Sequence, residues 1–326
     1  MKILVTGGTG FVGAHVVRLL IQEGHSVRVL LRENSPRTLL KNLSIEEFIG
    51  DLTNPSSVLE AVKGCQVVFH IAGHVSFWKR EAKKIWAINL EGTRNVVQAC
   101  LAHKIERLIH TSSIVALGRV PEGKIGDETL EYDWGPYKIN YNHSKYLAEQ
   151  EVLQGIAQGL NAVIVNPAVV FGAGEIDARS GQMILKIKKG KIPFRFPGGC
   201  CACDVEDVAR GHLLAWKKGK RGERYILGGE NRDWQTVMEL IAKTVDGRAP
   251  KKSLPLFLYK FFAVFSEGLS FFTGKYPSLT WEMRHYIGRH FYFSSKKAIN
   301  ELGYTITPFQ ETIRKSYQWF LKNGYC

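Results

Sequence analysis

Lys2-Ile3-Leu4-Val5-Thr6-Gly7-Gly8-Thr9-Gly10-Phe11-Val12-Gly13 decides the fold. An apolar, β-forming run ends in glycines at 7, 10 and 13, and a helical pattern, Phe11–Glu23, opens there and stops at Gly24, a residue suited to the position past a helix end. Gly7 permits a tight turn, Gly10 lets backbone approach a pyrophosphate, and Gly13 lets the helix pack closely on the strand. The helix N-terminus then presents N–H groups to phosphate oxygens. Glycines at this spacing also occur in purely structural turns. Their place directly after a first strand, at the head of a βαβ unit, favours a dinucleotide site built from Gly7, Thr9, Gly10, Phe11, Val12 and Gly13.

Outward from this loop, short β-branched runs alternate with helical patterns. Strands are expected at Lys2–Thr6, Ser26–Leu31, Glu46–Ile49, Gln66–Ile71, Arg107–Thr111 and Asn161–Asn166, with further helices at Pro55–Val62, Lys79–Ala102 and Tyr141–Gly159. Parallel strands joined by right-handed crossovers give an α/β fold, a doubly wound Rossmann sheet with ligands outside the carboxyl ends of its strands. After Asn166-Pro167 the pattern loosens, then recovers a helix at Val205–Trp216 and a strand at Arg224–Leu227. The expected division is a cofactor-binding domain over 1–168, joined by 204–228, and a smaller, mainly helical substrate lobe from 169–203 and 229–326. At the end of the second strand stands Val29-Leu30-Leu31-Arg32-Glu33. A planar guanidinium suits the 2′-phosphate of NADP, whereas Glu33 taking a ribose hydroxyl would suit NAD. NADP(H) is the expected cofactor, with NAD(H) as the alternative.

Tyr141 and Lys145, four residues apart in a helical pattern, share a face. A nearby ammonium stabilises phenolate and makes the tyrosine a usable proton donor or acceptor near neutrality. Upstream, Thr111-Ser112-Ser113 closes a strand at the carboxyl edge, where a serine hydroxyl can reach the reacting oxygen.

With these residues, the chain resembles the extended short-chain dehydrogenase/reductase family over nearly its whole length. The resemblance rests on the glycine loop, Gly50-Asp51-Leu52, His70-Ile71-Ala72-Gly73, Asn89-Leu90-Glu91-Gly92-Thr93, Thr111-Ser112-Ser113, Tyr141 to Lys145 and Asn166-Pro167. It implies that Ser113 orients the substrate oxygen, with Ser112 a competitor for that role, and that Tyr141 is the acid/base. Lys145 would hold the nicotinamide ribose while tuning Tyr141. It further implies that Asp51 and Leu52 flank the adenine, Ile71 and Ala72 the cofactor backbone, and Pro167 to Val170 the nicotinamide end, with Asn89 a buried polar anchor. Arg32 and the tail Phe293-Ser294-Ser295-Lys296-Lys297-Ala298 with Glu301-Leu302-Gly303-Tyr304 look most like the dihydroflavonol-reductase-like and sterol-dehydrogenase-like branch. Leu117-Gly118, where the family often has Tyr-Gly, departs from its sugar epimerases. The expected reaction is hydride transfer between nicotinamide and a carbonyl or secondary alcohol. A nucleotide-sugar epimerase or dehydratase with retained cofactor is the alternative, and a non-catalytic cofactor sensor is a third reading that intact Ser113, Tyr141 and Lys145 oppose. Substrate contacts are expected from Ser113, Trp134, Tyr137 and Asn166.

Composition narrows the rest. At 326 residues, 45% hydrophobic and 23% charged, the chain is neither disordered nor fibrous. Residues 1–180 hold 19 basic against 18 acidic side chains, and residues 181–326 hold 25 against 12. The basic second part suits an anionic substrate or membrane face; no nucleic-acid motif accompanies it. Cys65, Cys100, Cys200, Cys201, Cys203 and Cys326 show no disulfide framework, and a reducing, cytoplasmic setting is expected. Cys200-Cys201-Ala202-Cys203 with Asp204 and His212 lacks a second pair at zinc spacing, so no metal is expected, and the family resemblance implies a loop there. The apolar stretch from Leu254 to Phe272, with Lys251-Lys252 before it, reads as core of the lobe first, and as pocket lid or, over 251–272, peripheral membrane contact otherwise. Pro255, Lys260, Glu267 and Gly268 interrupt it, so a spanning helix is not expected. A monomer and a homodimer are both compatible with the pattern.

Overall fold

The computed structural model describes residues 1–175, 180–277 and 279–325; Cys326 lies outside them. In chain order the strands are β1 (Lys2–Thr6), β2 (Ser26–Leu31), β3 (Glu46–Ile49), β4 (Val67–His70), β5 (Arg107–Thr111), β6 (Ala162–Pro167), β7 (Val169–Phe171), β8 (Phe194–Arg195), β9 (Gly199–Asp204), β10 (Arg224–Leu227), β11 (Glu230–Asp233), β12 (Lys252–Ser253) and β13 (His290–Phe291). The α-helices are α1 (Phe11–Gln22), α2 (Pro55–Val62), α3 (Ala82–Trp86), α4 (Gly92–Ala102), α5 (Asn140–Ala157), α6 (Gly181–Lys188), α7 (Val205–Lys218), α8 (Trp234–Val245), α9 (Leu256–Thr273) and α10 (Phe309–Lys322).

Seven parallel strands form the main sheet in the order β10-β6-β5-β4-β1-β2-β3. Successive side chains on a strand point to opposite faces, and β1 shows the result. Ile3 and Val5 join one buried cluster with α1 and α7, whereas Leu4 joins another with α2, α4 and α5. Covering both faces explains why the inner strands are largely apolar, whereas β3 at the edge, Glu46–Ile49, is mostly exposed. The strand order reverses between β1 and β4, so the crevice for a ligand opens beside the glycine loop. β10 pairs in parallel with β6 and returns the chain to this sheet.

The stretch Lys79–Ala102, expected as one helix, is interrupted. A 3₁₀ turn (Lys79–Glu81), α3, a π-type turn over Ala87–Glu91 and α4 follow one another. The π turn inserts a residue into the ladder and delivers Asn89 to the interior, where it is 1% exposed.

A four-stranded sheet of β11, β9, β13 and β7 carries the smaller lobe with α6, α8 and α10. The expected loop at Cys200–Cys203 is corrected here: these residues form β9, whose six positions are all buried. Cys201 Sγ and Cys203 Sγ contact the carbonyls of Phe293 (3.8 Å) and Val169 (3.5 Å). Burial pushes the Cys201 thiol up to about 11 and raises those of Cys200 and Cys203 as well, which disfavours thiolate. His212 bonds Thr111 Oγ1 and the Val208 carbonyl, so it locks α7 to the end of β5. Among the described residues no group of three or more His, Cys, Asp or Glu has a metal-holding arrangement.

The core reading of 251–272 is corrected as well. α9 leaves Phe257, Phe261, Phe265 and Leu269 exposed. Among the described residues no helix is long and apolar enough to cross a membrane.

Candidate functional site

The glycine loop leaves β1 at the sheet's carboxyl edge. Gly7 has φ +72°, and a Cβ there would sit 2.5 Å from the Ala72 nitrogen; a Cβ at Gly13 would sit 2.1 Å from the Gly7 carbonyl oxygen. Glycine is therefore required at both positions by close backbone approach. Gly10 caps α1 without a side chain, and no acidic residue stands in the first turn. That leaves a positive helix end open to an anion, and the set Gly7, Thr9, Gly10, Phe11, Val12 and Gly13 fits a pyrophosphate. His15 Nε2 meets the Ala173 carbonyl at 2.9 Å, which brings the segment after β7 over the head of α1.

Around this loop, Arg32 is exposed just beyond β2 and helps hold the Asp51 carboxyl below its usual range, after the Thr53 N–H bond that is the larger cause. Leu52 packs on Gly92. Ile71 and Ala72 are half-buried opposite Gly7. Thr6 Oγ1 joins His70 Nδ1 at 2.7 Å and accepts from the Ala72 N–H at 3.3 Å, which ties the β4 exit to β1.

Lys145 is buried on α5, and its Nζ donates to the Thr111 carbonyl at 2.7 Å. Desolvation pushes its pKa down to about 8 against the opposing pull of Glu149. Below it, burial and then the Lys145 charge press His70 down to about 3 and His110 well below its ordinary value. Both imidazoles are thus neutral. Tyr141, one turn before Lys145, shares a cluster with Ile114, Val115, Leu117, Cys201, Ile226 and Phe293. Ser113 caps the short turn that carries Ile114 and Val115, and its Oγ accepts from the Val115 N–H at 3.4 Å. The end of β5 and the first two turns of α5 therefore bring Ser113, Tyr141 and Lys145 to one edge. Ser112 is buried with no hydrogen-bond partner on its hydroxyl among the described residues.

Asn89 fastens this edge. Its Oδ1 accepts from the His74 N–H at 2.7 Å, and its Nδ2 donates to the His74 carbonyl and to Ser144 Oγ. Ser144 Oγ in turn donates to the Tyr141 carbonyl at 2.8 Å. Asn89→Leu leaves several buried polar groups unpaired, and a loss of about 2–3 kcal/mol in unfolding free energy is expected. Urea denaturation checks it; a change below about 0.5 kcal/mol contradicts the anchoring role.

Trp134 and Asn166, both expected as substrate contacts, are buried. Trp134 is 1% exposed, in a three-ring cluster with Tyr286 and Phe291. Asn166 is enclosed too, donating to the Ser113 carbonyl at 3.0 Å and to Glu149 Oε1 at 2.7 Å. It steadies Ser113 from behind. Tyr137 is half-buried between Arg119, Arg289 and His285. Pro167 is buried, with Val169 and Val170 half-exposed beyond it.

Sequence reading missed an aromatic wall. Phe77 meets Tyr141 edge-on at 5.7 Å and Tyr286 at 5.1 Å; Tyr286 contacts Phe291 at 5.0 Å. Position after β4 could have flagged Phe77. Tyr286 stands far along the chain with no motif around it.

The geometry matches known proteins. The NAD dependent epimerase/dehydratase family model matches residues 3–228. A protein of Synechocystis sp., provisionally named a dihydroflavonol 4-reductase, is 37% identical over 98% of this chain and 95% of its own length. Sterol demethylase protein B of Methylococcus capsulatus is 28% identical over 99% of both chains. The crystal structure of gox2253 superposes with a TM-score of 0.88 at 37% identity, covering 99% of this chain and 98% of its own. UDP-glucose 4-epimerase of Thermus thermophilus, solved with NAD, gives 0.78 at 25% identity over 98% of this chain and 99% of its own. The chain belongs to the NAD dependent epimerase/dehydratase family, the extended short-chain dehydrogenase/reductases, and is an NAD(P)-dependent enzyme of that family.

Proposed function

We propose that this enzyme is an NADP(H)-dependent oxidoreductase acting on a carbonyl or secondary alcohol, with Ser113, Tyr141 and Lys145 as its catalytic set. The observation that carries the reading is Lys145, a buried ammonium fixed on the Thr111 carbonyl one helical turn beyond Tyr141. The nicotinamide, when bound, supplies or accepts the hydride. During reduction Ser113 Oγ donates a hydrogen bond to the substrate oxygen, and Tyr141 Oη donates its proton to it, so no free alkoxide forms. The phenolate left on Tyr141 is stabilised by the Lys145 ammonium. Substrate is apolar in this reading: Phe77 and Tyr286 border Tyr141, and one relative is named for a sterol reaction.

For the cofactor, the glycine loop would hold the pyrophosphate, Asp51 and Leu52 the adenine, Ile71 and Ala72 the backbone, and Pro167 to Val170 with Lys145 the nicotinamide end. Arg32 would pair with the 2′-phosphate, since it stands exposed at the β2 exit. Arg32→Glu should weaken NADPH binding about 10–100-fold, the worth of a charge-assisted contact, and NADH binding far less. Fluorescence titration of the stripped protein reads both. Tighter wild-type binding of NADH removes the NADP assignment, and cofactor that resists stripping favours the epimerase or dehydratase reading.

A further inference from the structure

α9 shows the solvent a row of large apolar side chains. Phe257, Phe261 and Phe265 are 67%, 62% and 61% exposed, and Leu269 continues the row. Steps of four place them on one face. Tyr259 and Ala263 turn inward and fasten the helix to the lobe. The charge around this row is one-sided. Lys251, Lys252, Lys260 and Lys275 are all exposed, and from Lys251 to Thr280 the single acidic residue is Glu267. That carboxylate accepts the Trp281 N–H instead of facing outward. Lys79 joins the basic rim, standing over the Trp281 ring and beside Val264. Exposed aromatic rows on soluble monomers mark interaction sites.

We propose that α9 is an interfacial helix that seats this enzyme on an anionic bilayer surface, with Phe257, Phe261 and Phe265 among the acyl chains and the lysines at the headgroups. Charge complementarity selects this occupant: lysines flanking a shallow apolar row match anionic lipid. The helix cannot span a bilayer, so it lies in the interface plane. Its placement relative to the site follows from Tyr276, just past its end, whose hydroxyl accepts from the Phe77 N–H at 3.4 Å; the Phe77 ring borders Tyr141. Seating α9 therefore turns the Tyr141 edge towards the membrane. A membrane-dissolved carbonyl compound is then the substrate class, a clause that rests on the reductase reading.

The test is co-sedimentation of the full chain with phosphatidylcholine vesicles, alone or containing about one third phosphatidylglycerol, at low and high salt. The expected result is pelleting with the anionic vesicles that weakens as salt rises. Phe261→Glu with Phe265→Glu should cut the bound fraction roughly tenfold, with melting and NADPH titration unchanged. Lys251→Glu with Lys252→Glu and Lys260→Glu should weaken it while leaving the apolar row intact. No pelleting of the wild type overturns the proposal. So does binding indifferent to both variants, or a dimer in ultracentrifugation that the Phe variant dissolves, which would give the face to a second copy. Turnover of a small water-soluble ketone separates the two readings: active protein that does not pellet sinks docking alone, and inactive protein that pellets sinks the reductase reading alone.

Discussion

Tyr141→Phe should cut turnover by about 10²–10⁴-fold while leaving NADPH affinity within about twofold, because in the proposed mechanism it deletes the proton donor and little else. The ring keeps its packing: the edge-on contact with Phe77 at 5.7 Å and the cluster with Ile114, Val115 and Leu117 do not involve the hydroxyl. Loss of one hydrogen-bonding group near the surface of a pocket costs about 1 kcal/mol, so the variant stays folded. The loss should appear in kcat and kcat/KM equally, since the proton moves only as the oxygen gains charge. Turnover within about tenfold of the wild type would show that another group supplies the proton.

Lys145→Met should stop turnover and at the same time stabilise the protein without cofactor. Folding lowers the Lys145 pKa from its ordinary value to about 8, chiefly by desolvation. The sign follows from proton counting. Between about pH 8 and pH 10.5 the unfolded chain binds a proton that the folded chain has released, so stability rises with pH there; below about pH 8 the whole penalty is present. A shift of that size corresponds to about 3 kcal/mol. Met fills the space of the alkyl stem but forgoes the bond to the Thr111 carbonyl, which leaves a net gain of about 1–2 kcal/mol at pH 7. Calorimetry should show a Tm higher by about 2 °C at pH 7 and a gain that vanishes near pH 10. A lower Tm at pH 7 would mean that the ammonium is well paired, and the tuning of Tyr141 by a strained cation would fail with it.

The strands and the catalytic edge were legible in different degrees. β1, β2, β3, β5 and β10 run over the expected residues; all but the edge strand β3 are buried along most of their length, which favours apolar runs. The glycine loop was legible because close backbone contact at Gly7 and Gly13 admits no side chain. Lys79–Ala102 read as one helix because the π turn keeps apolar residues near helical spacing while rotating Asn89 inward. β9 was illegible. Small thiol-bearing residues carry no alternation when both faces of the strand are buried, Cys200 and Ala202 in one apolar cluster and Cys201 in another.

By itself the sequence determined the doubly wound sheet, the glycine loop and the placing of Tyr141 and Lys145 one turn apart on a helix, since each depends on local spacing: strand and helix periods, glycine steps, one helical turn. Only the tertiary structure decided the rest. It enclosed Trp134 and Asn166 behind the site, brought Tyr286 to Phe77, and left the apolar face of α9 uncovered. Those outcomes depend on which elements meet across the whole chain, and no local pattern records how much partner surface an apolar segment will find.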